Sequence, residues 1–331
     1  MAAPESSPTT SALRAGLRAH VETWRPYTTC YPALVGAAGA AVAGGWGVPA
    51  LAAAVVPALG WLSGHYLGDY FDRELDAISK PQRPIPSGRL SARAALGGGL
   101  GCAAAAAVLA LLVNWRAVVL VLAALAGIVA YSRFCKARGL SGNLVRGALT
   151  ALALATGSLL ATGGVTGAVL VFALVFLVHD AASNLVGTIR DVDGDRAGGY
   201  GSVAVRRGVP AAVRIAFGLY AAGLLAVLAM SSTMLEQAPY YVFTTLAACA
   251  GTAAFSLLFE HIRAVPPRKA LRAHEILVAE RLVLAGALIA GSAGWWAALA
   301  VLVPALVFSL GTQSALRGGH EFPAEREAAR P

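Results

Sequence analysis

From about residue 27 the chain alternates long apolar runs with short polar breaks. Runs of about 20 apolar residues with few charges have the length of a helix that crosses a bilayer. Inside hydrocarbon such a segment must satisfy its own backbone hydrogen bonds, and a helix does. The pattern predicts spans near 27–45, 49–71, 92–112, 116–132, 142–162, 165–189, 210–231, 238–260, 274–293 and 295–314. Only Gly294 and the pair Trp295–Trp296 divide the last two, so the pattern allows nine or ten. It lacks the short alternating segments of a β-barrel. The expectation is an all-α, polytopic transmembrane helical bundle. The opening stretch MAAPESSPTTSALRAGLRAH has no apolar core and reads as a polar segment, 1–26, not a cleavable signal. The transmembrane domain would cover 27–314, and 315–331 reads as a polar, mobile tail.

Charge adds a direction. Only 13% of residues are charged and 57% are hydrophobic, against about 25% charged in a soluble domain. The net charge of +9 might point to nucleic acid in a soluble protein. Here the basic residues fall between apolar runs, where they read as topology signals. With the N-terminus in the cytoplasm, every one of the 26 Lys and Arg residues except Arg116 lies on the inner side. The two distinctive loops, 73–91 and 190–209, are then both cytoplasmic. Cys30, Cys102, Cys135 and Cys249 are scattered without a CxxC pair, which argues against a disulfide framework or a zinc site.

Candidate chemistry lies at two helix ends on that inner side. In GDYFDRELDAISKPQRPIPSG, Asp69, Asp72 and Asp76 recur at helical spacing, with His65 on the same stripe but deeper. In HDAASNLVGTIRDVDGDRAGG, Asp180, Asn184, Thr188, Asp191 and Asp195 form a second stripe. Facing carboxylates repel in a low dielectric and need cations between them. Oxygen ligands of this kind suit Mg²⁺, which binds through a few carboxylates plus substrate phosphates. A diphosphate ester with a long apolar tail would supply those phosphates, and the metals would promote loss of its diphosphate. Acids at a membrane edge are functional candidates by default.

DYFDRELDAISKPQRPIPSG resembles the first signature of the UbiA superfamily of intramembrane prenyltransferases, NxxxDxxxD followed by a KPxRPIPSG-like loop. DVDGDRAGGYGSVAVRRG resembles the second, DxxxD followed by a Gly-rich loop, and YSRFCKARGLSGN resembles the segment between them. The resemblance covers roughly residues 27–293. It implies a helical bundle with a central cavity open to lipid, Mg²⁺ as cofactor, and a prenyl diphosphate donor with a hydrophobic acceptor. Carried over by position, Asp72, Asp76, Asp191 and Asp195 become metal-binding, catalytic acids, with Asp69 as an added ligand. Lys136, Arg83 and Arg196 become diphosphate-binding residues. Gly68 stands where the first motif has Asn, and Asn184 and Thr188 stand where many relatives carry acids. Asp180, His65 and Asn184 are candidates for holding the acceptor or taking its proton. Two alternatives use the same residues differently: a membrane terpene cyclase of the same superfamily, and a transporter or non-catalytic lipid-binding protein.

Overall fold

The computed structural model describes residues 8–322, with side chains from Arg14 onward. The helices are α1 (Pro8–Trp24), α2 (Pro26–Val42), α3 (Pro49–Ser79), α4 (Ala92–Val113), α5 (Ala117–Ala130), α6 (Ser141–Thr162) and α7 (Gly167–Arg190). They continue with α8 (Val192–Ala197), α9 (Val203–Arg207), α10 (Val209–Ala229), α11 (Gln237–Glu260), α12 (Pro267–Ala293) and α13 (Trp295–Glu321). The last turn of α5 runs on as a π-helix, Tyr131–Cys135. Among the described residues, β-pairing is confined to one bridge, Arg138 with Gly201.

Nine helices among the described residues, α3 to α7 and α10 to α13, are long and apolar enough to cross a membrane. The predicted ambiguity between nine and ten spans is real but sits elsewhere. Gly294, at φ 87°, breaks the chain cleanly, so α12 and α13 are two helices. The short one is α2, whose 17 residues reach about 26 Å at 1.5 Å per residue, a little less than the ~30 Å hydrocarbon core. It packs against α3, α6 and α12 in the middle of the bundle.

In lipid, helices associate through close packing more than through an apolar driving force, and small residues allow the approach. Gly36 of α2 and Gly157 of α6 meet backbone to backbone. A Cβ on Gly157 would lie 1.9 Å from the Gly36 carbonyl oxygen, and one on Gly36 would lie 1.9 Å from that of Ala53. Around this contact Tyr31, Leu154, Phe172, Phe176, Leu282 and Leu288 are buried. Leu111, Leu112, Leu122, Leu174 and Leu225 face outward, as a lipid-exposed surface requires. Gly157→Ala is expected to destabilise the protein by about 1–3 kcal/mol, because no flexible side chain can yield. Gly101→Ala, where a Cβ meets nothing within 4 Å, is the control. Melting temperature in detergent reads both.

Two segments expected to be polar flanks contain helix. Residues 1–7 and 323–331 of those flanks lie outside the described residues. Within them α1 is helical, and α13 continues past Thr312 to Glu321 with Arg317, His320 and Glu321 buried. The mobile tail predicted from residue 315 is therefore helical as far as residue 321. Its polar residues find partners inside the protein, which extends the helix beyond the apolar run.

Candidate active site

The acid stripes emerge from the C-terminal ends of α3 and α7 and line adjoining cavities. Asp76, Asp191, Asp195 and Lys136 border the outer one. His65, Asp69, Asp72, Asp180 and Arg146 border the deeper one, and Arg83, Asn184, Arg190 and Glu321 border both. The connection between α5 and α6 is fixed to the loop that carries Gly201. Gly139 N–H donates to the Gly201 carbonyl at 2.7 Å, and Gly201 N–H donates to that of Ala137 at 3.0 Å. Gly88 (φ 74°) and Gly199 (φ 73°) make left-handed turns that favour glycine.

The acids meet lysines and arginines. Lys136 Nζ donates to Asp72 Oδ2 at 2.6 Å. Arg83 donates to both oxygens of Asp76 at 2.9 and 3.0 Å. Asp191 accepts from Lys80 at 3.0 Å and from Arg190 at 2.9 and 2.7 Å. Burial alone would raise the Asp191 carboxyl, but Arg190 and Lys80 hold it well below the usual carboxylate range. Burial would lower the Lys136 ammonium, yet Asp72 keeps it above the ordinary lysine value. Asp195 is buried with no ion pair among the described residues, and burial pushes its carboxyl up.

Several predicted site residues are placed differently. Asp69 is turned to Arg25 instead of toward the other acids. Arg25 has the left-handed φ of 47°, the only such non-glycine among the described residues, and this sharp corner between α1 and α2 aims its guanidinium inward. Arg25 also donates to His65 Nδ1 at 2.8 Å, while His65 Nε2 bonds the Thr28 hydroxyl at 2.9 Å. His65 thus orients Arg25 with both ring nitrogens engaged, and its Nδ1 lone pair is taken. Asp180 accepts from Arg281 and from the Thr150 hydroxyl. Asn184 accepts from Asn143 at 2.9 Å. Arg196 stands away from the cavities, exposed and paired with Asp193. Of the two arginines that flank the second motif, the one at the cavity is Arg190, which ends α7.

Other cavity residues were given no role from the sequence. Lys80, Arg190 and Glu321 form ion pairs in the outer chamber. Arg146 lies over the Trp61 ring at 3.8 Å and has no hydrogen bond or ion pair among the described residues. It borders both the deeper polar cavity and an apolar groove lined by Val56, Gly60, Leu125, Leu149 and Thr156. An arginine inside an apolar span is the signal that would have marked it.

The donor set fits a hard cation. Every side chain at the two acid pairs offers oxygen, and among the described residues Asp72 Oδ1 is buried without a hydrogen-bond partner and Asp195 is buried without an ion pair. Among the described residues no three His, Cys, Asp or Glu side chains converge closely enough to hold an ion alone. An ion here would complete its shell with water or substrate oxygens, as Mg²⁺ characteristically does.

A helical bundle with two acid pairs and a ring of cations, joined to an apolar groove, defines a membrane protein built to handle an anionic, lipid-soluble molecule. Residues 29–278 match the UbiA prenyltransferase family, and the chain belongs to that family of membrane prenyltransferases. It is 35% identical to the digeranylgeranylglyceryl phosphate synthase of Natronomonas pharaonis over 66% of this chain and 77% of that protein. It is likewise 35% identical to the Ignicoccus hospitalis synthase over 77% and 88%. It is 36% identical to the Korarchaeum cryptofilum synthase, where the match spans only 56% of that protein. In fold it is similar to a UbiA homolog from Aeropyrum pernix K1, with TM-score 0.70, 19% identity, and 79% and 96% of the two chains covered. It also resembles the Archaeoglobus fulgidus homolog solved with DMAPP and Mg²⁺, with TM-score 0.62, 16% identity, and 82% and 99% covered.

Proposed function

We propose that this chain is an Mg²⁺-dependent prenyltransferase that moves a prenyl group from a prenyl diphosphate to the hydroxyl of a phosphate-bearing glycerol lipid. The observation that carries this reading is the convergence of both acid pairs and four cations, Lys80, Arg83, Lys136 and Arg190, on adjoining cavities. The Archaeoglobus homolog was solved with DMAPP or GPP and Mg²⁺, which supports a prenyl diphosphate as donor. The names of the archaeal relatives support a glyceryl phosphate product. Asp72, Asp76, Asp191 and Asp195 would hold Mg²⁺, which neutralises the leaving diphosphate. Lys136, Arg83, Lys80 and Arg190 donate to its oxygens. The apolar groove takes the prenyl tail and keeps water from the allylic carbon. Arg146, unpaired where groove and cavity meet, suits the acceptor's phosphate, since a guanidinium without an anion is costly to bury.

In the transfer, the prenyl carbon–oxygen bond breaks and its electron pair leaves on the diphosphate. The acceptor hydroxyl oxygen forms the new bond to that carbon. Its proton goes to the released diphosphate, because Arg25 and Arg281 already occupy acceptor sites on His65 and Asp180. We place this chemistry at the cytoplasmic face, because nearly all Lys and Arg residues fall on that side of the bundle. Family membership argues against a transporter, and the synthase relatives favour transfer over cyclisation. The test is a donor and acceptor screen in nanodiscs with products weighed by mass spectrometry. A product joining prenyl group and glycerophosphate lipid is expected. A cyclic hydrocarbon formed without acceptor would instead establish a cyclase.

A further inference from the structure

The end of α13 sits in the outer chamber without any role in the reaction proposed above. Glu321 Oε2 accepts from Lys80 at 2.8 Å and from Arg83 at 3.3 Å, and Oε1 pairs with Arg190 at 3.0 Å. Each of those cations already has another site carboxylate: Asp191 for Lys80 and Arg190, Asp76 for Arg83. Those two acids serve three cations, so Glu321 supplies the third negative charge that balances the cluster while no substrate is bound. Its carboxylate occupies donors that an incoming diphosphate would use. The same turn is held at two more points, where His320 Nε2 accepts from Arg25 at 2.9 Å and its carbonyl accepts from Gln82 at 3.2 Å. One short turn thus bridges the first loop, α7 and the α1–α2 corner.

Two further observations separate this turn from the rest of the site. The family match ends at residue 278, so α13 lies wholly beyond it. Gly318 and Gly319 precede His320 and Glu321 inside the helix, and a Cβ on either meets nothing within 4 Å. Packing does not require these glycines. Their effect is to weaken the last helical turn, since glycine is the poorest helix former after proline.

We infer that the C-terminal turn of α13 is a latch, with Glu321 the anion that fills the diphosphate seat when no substrate is bound. The diphosphate itself carries more negative charge and more acceptor oxygens than one carboxylate and displaces it from these cations, and the glycine pair lets the turn unwind. When a closed form dominates, apparent affinity falls by the fraction of protein that is open. The inference rests on reading this chamber as the diphosphate seat, and the test separates the two ideas.

Inorganic diphosphate is titrated calorimetrically into the purified full chain in nanodiscs, with and without Mg²⁺. Glu321→Gln is expected to bind it about tenfold more tightly than the native chain. Gly318→Ala with Gly319→Ala, which stiffens the turn without a clash, is expected to weaken binding several-fold. Equal or weaker binding by Glu321→Gln, with an unchanged melting temperature, overturns the latch and makes Glu321 a structural or positioning group. Unchanged binding in the double alanine variant overturns it as well. Absence of Mg²⁺-dependent binding in both the native chain and Glu321→Gln overturns the latch together with the diphosphate reading. Binding that appears only in Glu321→Gln supports the latch in its strongest form.

Discussion

Asp72→Asn and Asp191→Asn, each alone, are expected to cut prenyl transfer at least about a thousandfold, near 4 kcal/mol of barrier. Each change removes one unit of negative charge from a place where divalent cations must balance a leaving diphosphate. Asp72 lies on α3 and Asp191 at the end of α7, so the two losses sample opposite sides of the site. The folded protein should tolerate both, because Asn fills the same volume and the lost partner of Lys136 or Arg190 lies at a hydrated chamber. An unchanged melting temperature with activity lost separates chemistry from folding. EDTA should abolish activity of the native chain, and added Mg²⁺ should restore it. Full turnover by either variant would remove that acid from the metal site.

Lys136→Ala is expected to lower kcat/KM about a hundredfold, the scale of one well-placed electrostatic contact. In the substrate-free protein Lys136 is occupied by Asp72 at 2.6 Å. When a divalent cation takes that carboxylate, the ammonium is released to the diphosphate a short distance away. Asp72 holds the lysine above its ordinary value in the substrate-free protein, and the negative charge of the diphosphate does the same once the metal has taken Asp72. Titration of Lys136 should therefore put no alkaline limb on the rate below about pH 10. Lys136→Arg should recover part of the loss, since charge persists but the planar fork fits a different geometry. A variant Lys136→Ala with native kcat/KM for the donor would place the diphosphate elsewhere in the chamber.

The bundle was legible because a membrane helix is written in length and apolarity alone, and because basic residues mark one side of it. The short α2 was read as a span of 27–45, since apolar letters continue to Trp46 although the helix stops at Val42. Asp72, Asp76, Asp191 and Asp195 were legible from helical spacing at the ends of two spans. Of their neighbours, Lys136 and Arg83 were legible through the motif resemblance, and Arg190 was not. Arg190 and Arg196 flank the second motif alike in the sequence, and only the end of α7 at Arg190 turns one inward and leaves the other exposed. Asp69 shares the helical stripe of Asp72 but is held by Arg25, whose left-handed backbone cannot be read from its letter. The pairing of Glu321 with Lys80 closes across 241 positions. No local pattern announces such a contact, and a polar stretch after the last span reads as a loose end until its partners are seen.

We propose that both acid pairs hold metal on one diphosphate. The most direct measurement is pulsed EPR on Mn²⁺ bound to the full chain with a non-reacting thio analogue of a prenyl diphosphate. Bound Mn²⁺ coupled to phosphorus is expected in the native chain, with loss of that coupled signal in Asp72→Asn and in Asp191→Asn alike. Phosphorus-coupled Mn²⁺ that survives unchanged in either variant would contradict it.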